Sequence, residues 1–213
     1  MNLDLAKIID VAGIDKEFAM KDCTERILWA YETFKEGLFL TTSGGETSAV
    51  LPNLTRDALG FCPPILFVDT GYFNDCTHNM IRYLENEGYD VNIYKSTISK
   101  SEIEKRFPNW SDPESVHFRD VVSVIKHEPL MRGFRELNIK AWLGGVMRHE
   151  TEERKNAKFV QFNKGLYQIF PILDWDSCKV NKYLLSNKLP VNRNHFDITK
   201  GPDQKKECNI WRE

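Results

Sequence analysis

With 213 residues the chain fits one domain with a tail or one domain plus a small appendage. Its 29 basic and 31 acidic residues leave a formal net charge of -2, which argues against a globally basic nucleic-acid binder. Cysteines at 23, 62, 76, 178 and 208 form no adjacent pair and no C-x-x-C, which speaks against a zinc ribbon or a local iron–sulfur pattern.

The chain opens with helix. Asp22 and Glu25 have the spacing of a capping box, after which Ile27, Tyr31 and Phe34 share one helical face and Gly37 is expected to end the element. Leu38-Phe39-Leu40 reads as the first buried strand. It runs into the small-residue loop Ser43-Gly44-Gly45, with a helix expected behind it that Pro52 must kink or shorten. Ile65–Val68 is the second strand, closed by Asp69-Thr70-Gly71-Tyr72. A helix over about 74–87 leads through Gly88 to a third strand at Val91–Tyr94.

The polar stretch from Lys95 to Glu114, with Pro108 and Pro113, reads as a mobile surface loop. A helix over Phe118–Lys126 follows, with a break expected at Glu128-Pro129 and more helix to Leu137. Ala141–Leu143 is the fourth strand, ending at Gly144-Gly145. Another lies near Leu166–Phe170, and Asp176 is placed to cap a helix to about Asn187. From Pro190 the chain turns polar, and residues 190–213 are expected to lie outside the sheet as a mobile tail on a 1–189 α/β domain. No run approaches the roughly 20 apolar residues of a membrane helix, and no charged-then-apolar secretory start is present. A cytoplasmic chain with free thiols is the expectation.

Strands alternating with helices at this spacing predict an α/β fold, a mostly parallel twisted sheet with helices on both faces. Such sheets bind ligands beyond the carboxyl ends of their strands, so the Ser43, Asp69 and Gly144–Arg148 turns should share one rim. Glycines at Ser43-Gly44-Gly45 let backbone N–H groups approach a phosphate or sulfate, although a plain tight turn reads as well. Asp69, Thr70 and Gly71 could hold a ribose or base, with Tyr72 stacking, or could be an ordinary Asp turn with Gly in the left-handed region. Arg148 and Arg154 offer fork-shaped donors for an anion and Lys126 another charge, while Glu150, Glu152 and Glu153 offer them local ion pairs instead. Glu207-Cys208 follows Lys205-Lys206, and nearby lysines favour the reactive thiolate. The other four cysteines read as structural fillers.

Taken together, these segments resemble the phosphoadenylyl-sulfate (PAPS) reductase family from about Ile27 onward. The motifs that carry the resemblance are Thr42-Ser43-Gly44-Gly45, Asp69-Thr70-Gly71-Tyr72, Lys126-His127-Glu128-Pro129 with Arg132, Trp142 with Gly145, Arg148 and Arg154, Pro171-Ile172-Leu173-Asp174-Trp175, and Glu207-Cys208-Asn209-Ile210-Trp211. The resemblance implies an adenine nucleotide alpha hydrolase-like, Rossmann-like fold and a thiol-dependent reduction of PAPS to sulfite and adenosine 3′,5′-bisphosphate. Cys208 would be the nucleophile, with Glu207 beside it, and thioredoxin or glutaredoxin the external reductant. It further implies Ser43, Gly44, Gly45, Lys126, Arg148 and Arg154 around the anion, with Asp69, Thr70 and Gly71 nearer the nucleoside. The missing cysteine pairs imply the branch without an iron–sulfur cluster and no metal, hence PAPS in preference to adenylyl sulfate, although the resemblance leaves adenylyl sulfate open because some cluster-free members accept it. Members of the family often form homodimers.

Two rival readings stand beside this one. Ser43-Gly44-Gly45-Glu46-Thr47-Ser48 fits the S-G-G-x-x-S loop of ATP pyrophosphatase-type adenylating enzymes, although Glu46 would repel a triphosphate. Met147 and Trp211, where the family carries an arginine and a histidine, keep open a nucleotide-binding sensor without turnover.

Overall fold

The computed structural model describes residues 9–200. Two short helices lead in, α1 (Val11–Phe18) and α2 (Cys23–Phe34). The capping box at α2 is formed as expected: Glu25 N–H donates to Asp22 Oδ1 at 2.9 Å and Asp22 N–H to Glu25 Oε2 at 2.8 Å. The helix ends at Phe34, three residues before Gly37, and its C-cap Lys35 takes φ +48°.

Six strands form one sheet: β1 (Leu38–Thr42), β2 (Ile65–Asp69), β3 (Val91–Lys95), β4 (Ala141–Leu143), β5 (Val160–Asn163) and β6 (Leu166–Ile169). Their order across the sheet is β3-β2-β1-β4-β6-β5, and every neighbouring pair is parallel except β5 with β6. The central strands are apolar runs, as strands buried on both faces must be: Leu38, Leu40, Ile65, Leu66, Phe67, Ala141 and Leu143 are all buried. The antiparallel edge strand β5 was not foreseen. Its exposed Asn163-Lys164-Gly165 hairpin, with Lys164 and Gly165 at φ +50° and +83°, was the available signal.

The helices α3 (Val50–Leu59), α4 (Asp75–Asn86), α5 (Lys100–Arg106), α6 (Phe118–Val122), α7 (Glu128–Glu136) and α8 (Ser177–Ser186) complete the layers. Pro52 shortens its helix rather than kinking it. α3 starts only at Val50, so Pro52 falls in the first turn, where its missing N–H costs no helical hydrogen bond. Asp176 caps α8, its carboxylate accepting from Lys179 N–H at 2.7 Å.

Three expectations need correction. The stretch from Lys95 to Glu114 is not simply a loop. It contains α5, and Ile103 and Trp110 are buried in a second small core with Val121, Val122 and Ile125. No break occurs at Glu128-Pro129: a π-helical turn, Ser123–His127, joins α6 to α7 and absorbs the proline. The segment after 189 does not stand apart from the domain as far as it is described. Asn192, His195, Asp197 and Thr199 are all buried against it. No described helix is long and apolar enough to cross a membrane.

Arg26 of α2 ties the end of α1 to the segment that follows β6. It is 1 % exposed, donates to the Phe18 and Pro171 carbonyls at 2.9 and 2.7 Å, and grips Asp174 through both terminal nitrogens at 2.8 and 2.9 Å. Burial alone would raise the Asp174 carboxyl, but Arg26 outweighs it and holds the group below the usual carboxylate range.

Candidate active site

The chain runs from β1 outward to β2 and β3, then returns to β4 on the other side of β1. A crevice opens where the direction of travel reverses, beyond the carboxyl ends of β1 and β4. A cavity of about 400 Å³ occupies it, lined by Ser43 and Gly45 to Ser48 after β1, Gly144 to Met147 after β4, and Ser177 and Asn181 of α8.

Two glycines shape it. Gly44 takes φ +69°, and a Cβ there would stand 2.6 Å from the Thr77 methyl. A Cβ on Gly144 would meet Trp142 at 2.6 Å and Phe170 at 2.9 Å. The helix after the loop does not begin directly behind Gly44-Gly45 but at Val50. Turns closed by Ser48 N–H to Gly45 O and Val50 N–H to Thr47 O intervene before α3 begins. Donors for an anion therefore come from the loop backbone and its hydroxyls, Ser43, Thr47 and Ser48.

The wall opposite carries Arg154, His149 and Glu150. Arg154 is buried and pairs with Glu150 Oε2, which also accepts the Met147 N–H at 2.9 Å. His149 Nδ1 lies 3.0 Å from the Trp175 carbonyl, and so must carry the proton there. Its Nε2 then accepts from the Ser177 hydroxyl at 2.9 Å in the neutral ring. Glu46 stands exposed at the mouth. The lining thus holds two carboxylates, one already answered by the arginine.

The sequence-derived residues are only partly gathered here. Ser43, Gly45 and Arg154 line the cavity, with Gly44 immediately behind the loop. Arg148 turns away: its Nε donates to the Ala157 carbonyl at 3.1 Å and its guanidinium lies 4.7 Å from the Phe159 ring centre. Lys126, 9 % exposed, spends its charge inside the chain, donating to Asp197 Oδ2 at 2.7 Å and Thr199 Oγ1 at 2.9 Å.

Asp69, Thr70 and Gly71 form the Asp turn that their sequence also allowed. Asp69 accepts from Gly71 N–H at 2.9 Å and faces Lys95 at 3.1 Å and His78 at 3.4 Å. Burial opposes its ionisation, yet the Gly71 N–H, Lys95 and His78 together keep its carboxyl below the ordinary range. Tyr72 packs edge-on against Trp110, 5.0 Å between ring centres, rather than reaching the cavity. Glu207 and Cys208 lie outside the described residues. Of the cysteines read as fillers, Cys23, Cys62 and Cys76 are half-buried, with burial pushing the Cys62 thiol up to about 12, but Cys178 is exposed.

Not singled out from the sequence are Asn192 and His195, which close over the back of the loop, and Asp197 and Thr199, which hold Lys126. His195 Nδ1 sits 3.1 Å from the Thr77 hydroxyl, and burial lowers its pKa to about 4, with Lys200 and Lys126 adding to the shift against an opposing Asp197. Asp197 is held low by Lys126 despite its burial. The only signal in the sequence was a run of hydrogen-bonding side chains, Asn192 to Thr199, in a segment without apolar periodicity.

A family model described as the phosphoadenosine phosphosulfate reductase domain matches residues 37–197. A phosphoadenosine 5′-phosphosulfate reductase of Synechococcus sp. is 34 % identical over 189 residues, 88 % of this chain and 81 % of the relative. Its counterpart from Synechocystis sp. is 32 % identical over 188 residues, 86 % and 74 % of the two chains. Among solved structures, the PAPS reductase of Candida auris in a phosphate complex superposes with a TM-score of 0.74 at 22 % identity, covering 85 % of this chain and 87 % of that one. An FMN adenylyltransferase of Candida glabrata bound to FAD and pyrophosphate shares the fold at a TM-score of 0.59 and 15 % identity, over 90 % of this chain and 64 % of that one.

Proposed function

This chain belongs to the phosphoadenosine phosphosulfate reductase family, and we propose that it does the family's chemistry through the thiol of Cys208. The protein is an oxidoreductase of sulfate assimilation that reduces 3′-phosphoadenylyl sulfate. In the proposed mechanism the Cys208 thiolate attacks the sulfur of the sulfonyl group. The sulfur–oxygen bond to the phosphate breaks, adenosine 3′,5′-bisphosphate leaves with that electron pair, and the enzyme keeps an S-sulfocysteine. A thiolate of thioredoxin or glutaredoxin then attacks the Cys208 sulfur and expels sulfite. The partner's second thiol resolves the mixed disulfide, so the dithiol is oxidised by two electrons and Cys208 is restored.

The observation that carries this reading is the anchoring of the segment after Pro190. Its described part is fastened at the back of the Ser43-Gly44-Gly45 loop by Asn192 and to Lys126 by Asp197. Cys208 follows Lys200 by eight residues, a reach of at most about 28 Å, which supports assigning the nucleophile to this segment. Loop N–H groups and hydroxyls, with Arg154 opposite, suit the phosphosulfate and the departing phosphate. Residues 190–213 accordingly act as the thiol-bearing arm of a nucleotide domain formed by 1–189. Glu46 at the mouth disfavours the triphosphate of an adenylating enzyme.

We take the reaction to need no iron–sulfur cluster, because thiol chemistry with an external dithiol closes the electron balance by itself. A dithiol partner also fits a reducing, cytoplasmic setting. The test is intact mass after mixing the protein with PAPS and no reductant. One SO₃ unit gained, then lost on adding thioredoxin, is the expected result. A mass that never changes while sulfite is still made with thioredoxin would refute the intermediate.

A further inference from the structure

The Ser43-Gly44-Gly45 loop is braced from behind by residues distant in sequence. The buried Asn192 side chain donates to the Gly44 carbonyl at 2.7 Å and stands 3.4 Å from the Thr77 hydroxyl. Thr77, fully buried, is fixed in turn: its N–H donates to the N-cap Asn74 at 3.0 Å, and its hydroxyl meets His195 Nδ1 at 3.1 Å. The His195 ring covers Gly45, with Cδ2 3.3 Å from where a Cβ on that glycine would stand. Thr77, Asn192 and His195 are 0, 6 and 4 % exposed, so solvent does not substitute for any of these contacts.

Peptide planarity gives this bracing a consequence. In a trans peptide the carbonyl and the N–H that follows it point in opposite directions. Asn192 draws the Gly44 carbonyl rearward, toward α4, and the Gly45 N–H is thereby turned the other way. Gly45 lines the cavity, and among the described residues its N–H donates to no acceptor. Without that hold, a pair of adjacent glycines has several peptide orientations open to it.

We infer that Asn192, acting through the Gly44 carbonyl and braced by Thr77 and His195, is a positioning residue that presents the Gly45 N–H to an anion in the cavity. This rests on the proposed reading of the cavity as a sulfonucleotide site and adds the residue that orients its loop. It also gives the segment before Cys208 a second duty, since the arm that bears the thiol sets the loop that would hold the substrate.

The test titrates the full chain and three variants with adenosine 3′,5′-bisphosphate, with uncharged adenosine and with inorganic pyrophosphate. Asn192→Asp keeps the shape and replaces the donor by an oxygen facing the carbonyl. Its affinity for the bisphosphate should fall about tenfold or more, the scale of one misaligned hydrogen bond to a charged group, while adenosine binds as before. Thr77→Val, which loses the hydroxyl, should move the same way, and Thr77→Ser, which keeps it, should hold the wild-type value. An Asn192→Asp protein with unchanged bisphosphate affinity would overturn the inference. So would equal weakening of adenosine and bisphosphate, or Thr77→Ser falling as far as Thr77→Val. Should the wild type ignore bisphosphate yet bind pyrophosphate in an Asn192-dependent way, the loop assignment stands and the nucleotide reading fails. Binding of neither ligand sinks both.

Discussion

Lys126 and Asp197, 71 positions apart, form a buried ion pair 2.7 Å long that fastens the segment before Cys208 to the π-helical turn between α6 and α7. Thr199 completes it, donating its hydroxyl to Asp197 Oδ1 at 2.6 Å and accepting from Lys126 at 2.9 Å. Removing one partner leaves the other charge buried and uncompensated. Lys126→Ala or Asp197→Ala should each cost about 3–5 kcal/mol in urea unfolding, whereas Lys126→Met with Asp197→Leu should cost far less than the sum. Because Lys126 holds the Asp197 carboxyl low, the pair's stabilisation is present above the ordinary carboxylate range and is lost only as pH falls below it.

His195 predicts a second, separate pH dependence. Burial lowers its pKa to about 4, so the folded protein excludes a proton that the unfolded chain binds below its ordinary value near 6.5. Stability is full above that value, falls as pH drops toward 4, and levels off for this group below it. The span corresponds to about 3 kcal/mol. His195→Asn, which keeps a polar atom near the Nδ1 position, should flatten the stability profile between pH 6.5 and 4. An unflattened profile would assign the dependence to another group.

Arg154 and Glu150 oppose one another on the cavity wall. Arg154→Ala should weaken adenosine 3′,5′-bisphosphate binding by about tenfold to a hundredfold, as loss of a charge-assisted contact does. Glu150→Gln retains an acceptor for the Met147 N–H while removing a negative charge. It should bind the bisphosphate more tightly than wild type, and the difference should shrink at high salt. Calorimetry at two salt concentrations reads both effects.

Cys208→Ser should abolish sulfite formation and the mass adduct while leaving bisphosphate affinity unchanged. Sulfite production by the variant at the wild-type rate would place the nucleophile elsewhere, and the exposed Cys178 would be examined next.

The strands and the motifs were legible because their signals are local. Leu38-Phe39-Leu40 and Ile65–Val68 are apolar runs bounded by turn residues, and the Asp22/Glu25 and Asp176 caps follow from side chains within hydrogen-bond reach along the chain. The stretch containing Trp110 misled the reading. Its polar composition and prolines describe a surface, while one aromatic side chain and Ile103 supply the burial that orders it. Arg148 and Lys126 illustrate a different difficulty. A cation's sequence position says nothing of which acceptor lies within reach of its flexible stem, and here the acceptors are the Ala157 carbonyl and Asp197.

By itself, the sequence determined the alternation of strand and helix, the parallel sheet, the glycine loop after β1 and the family to which its motifs point, since each rests on neighbours in the chain or on residue type. Tertiary structure alone decided which charges face the cavity and what holds its loop. Asn192 reaches Gly44 across 148 positions, and Arg26 reaches Asp174 across the same separation. Such contacts depend on where the sheet brings two segments together, and the pattern of residues along one segment carries no record of it.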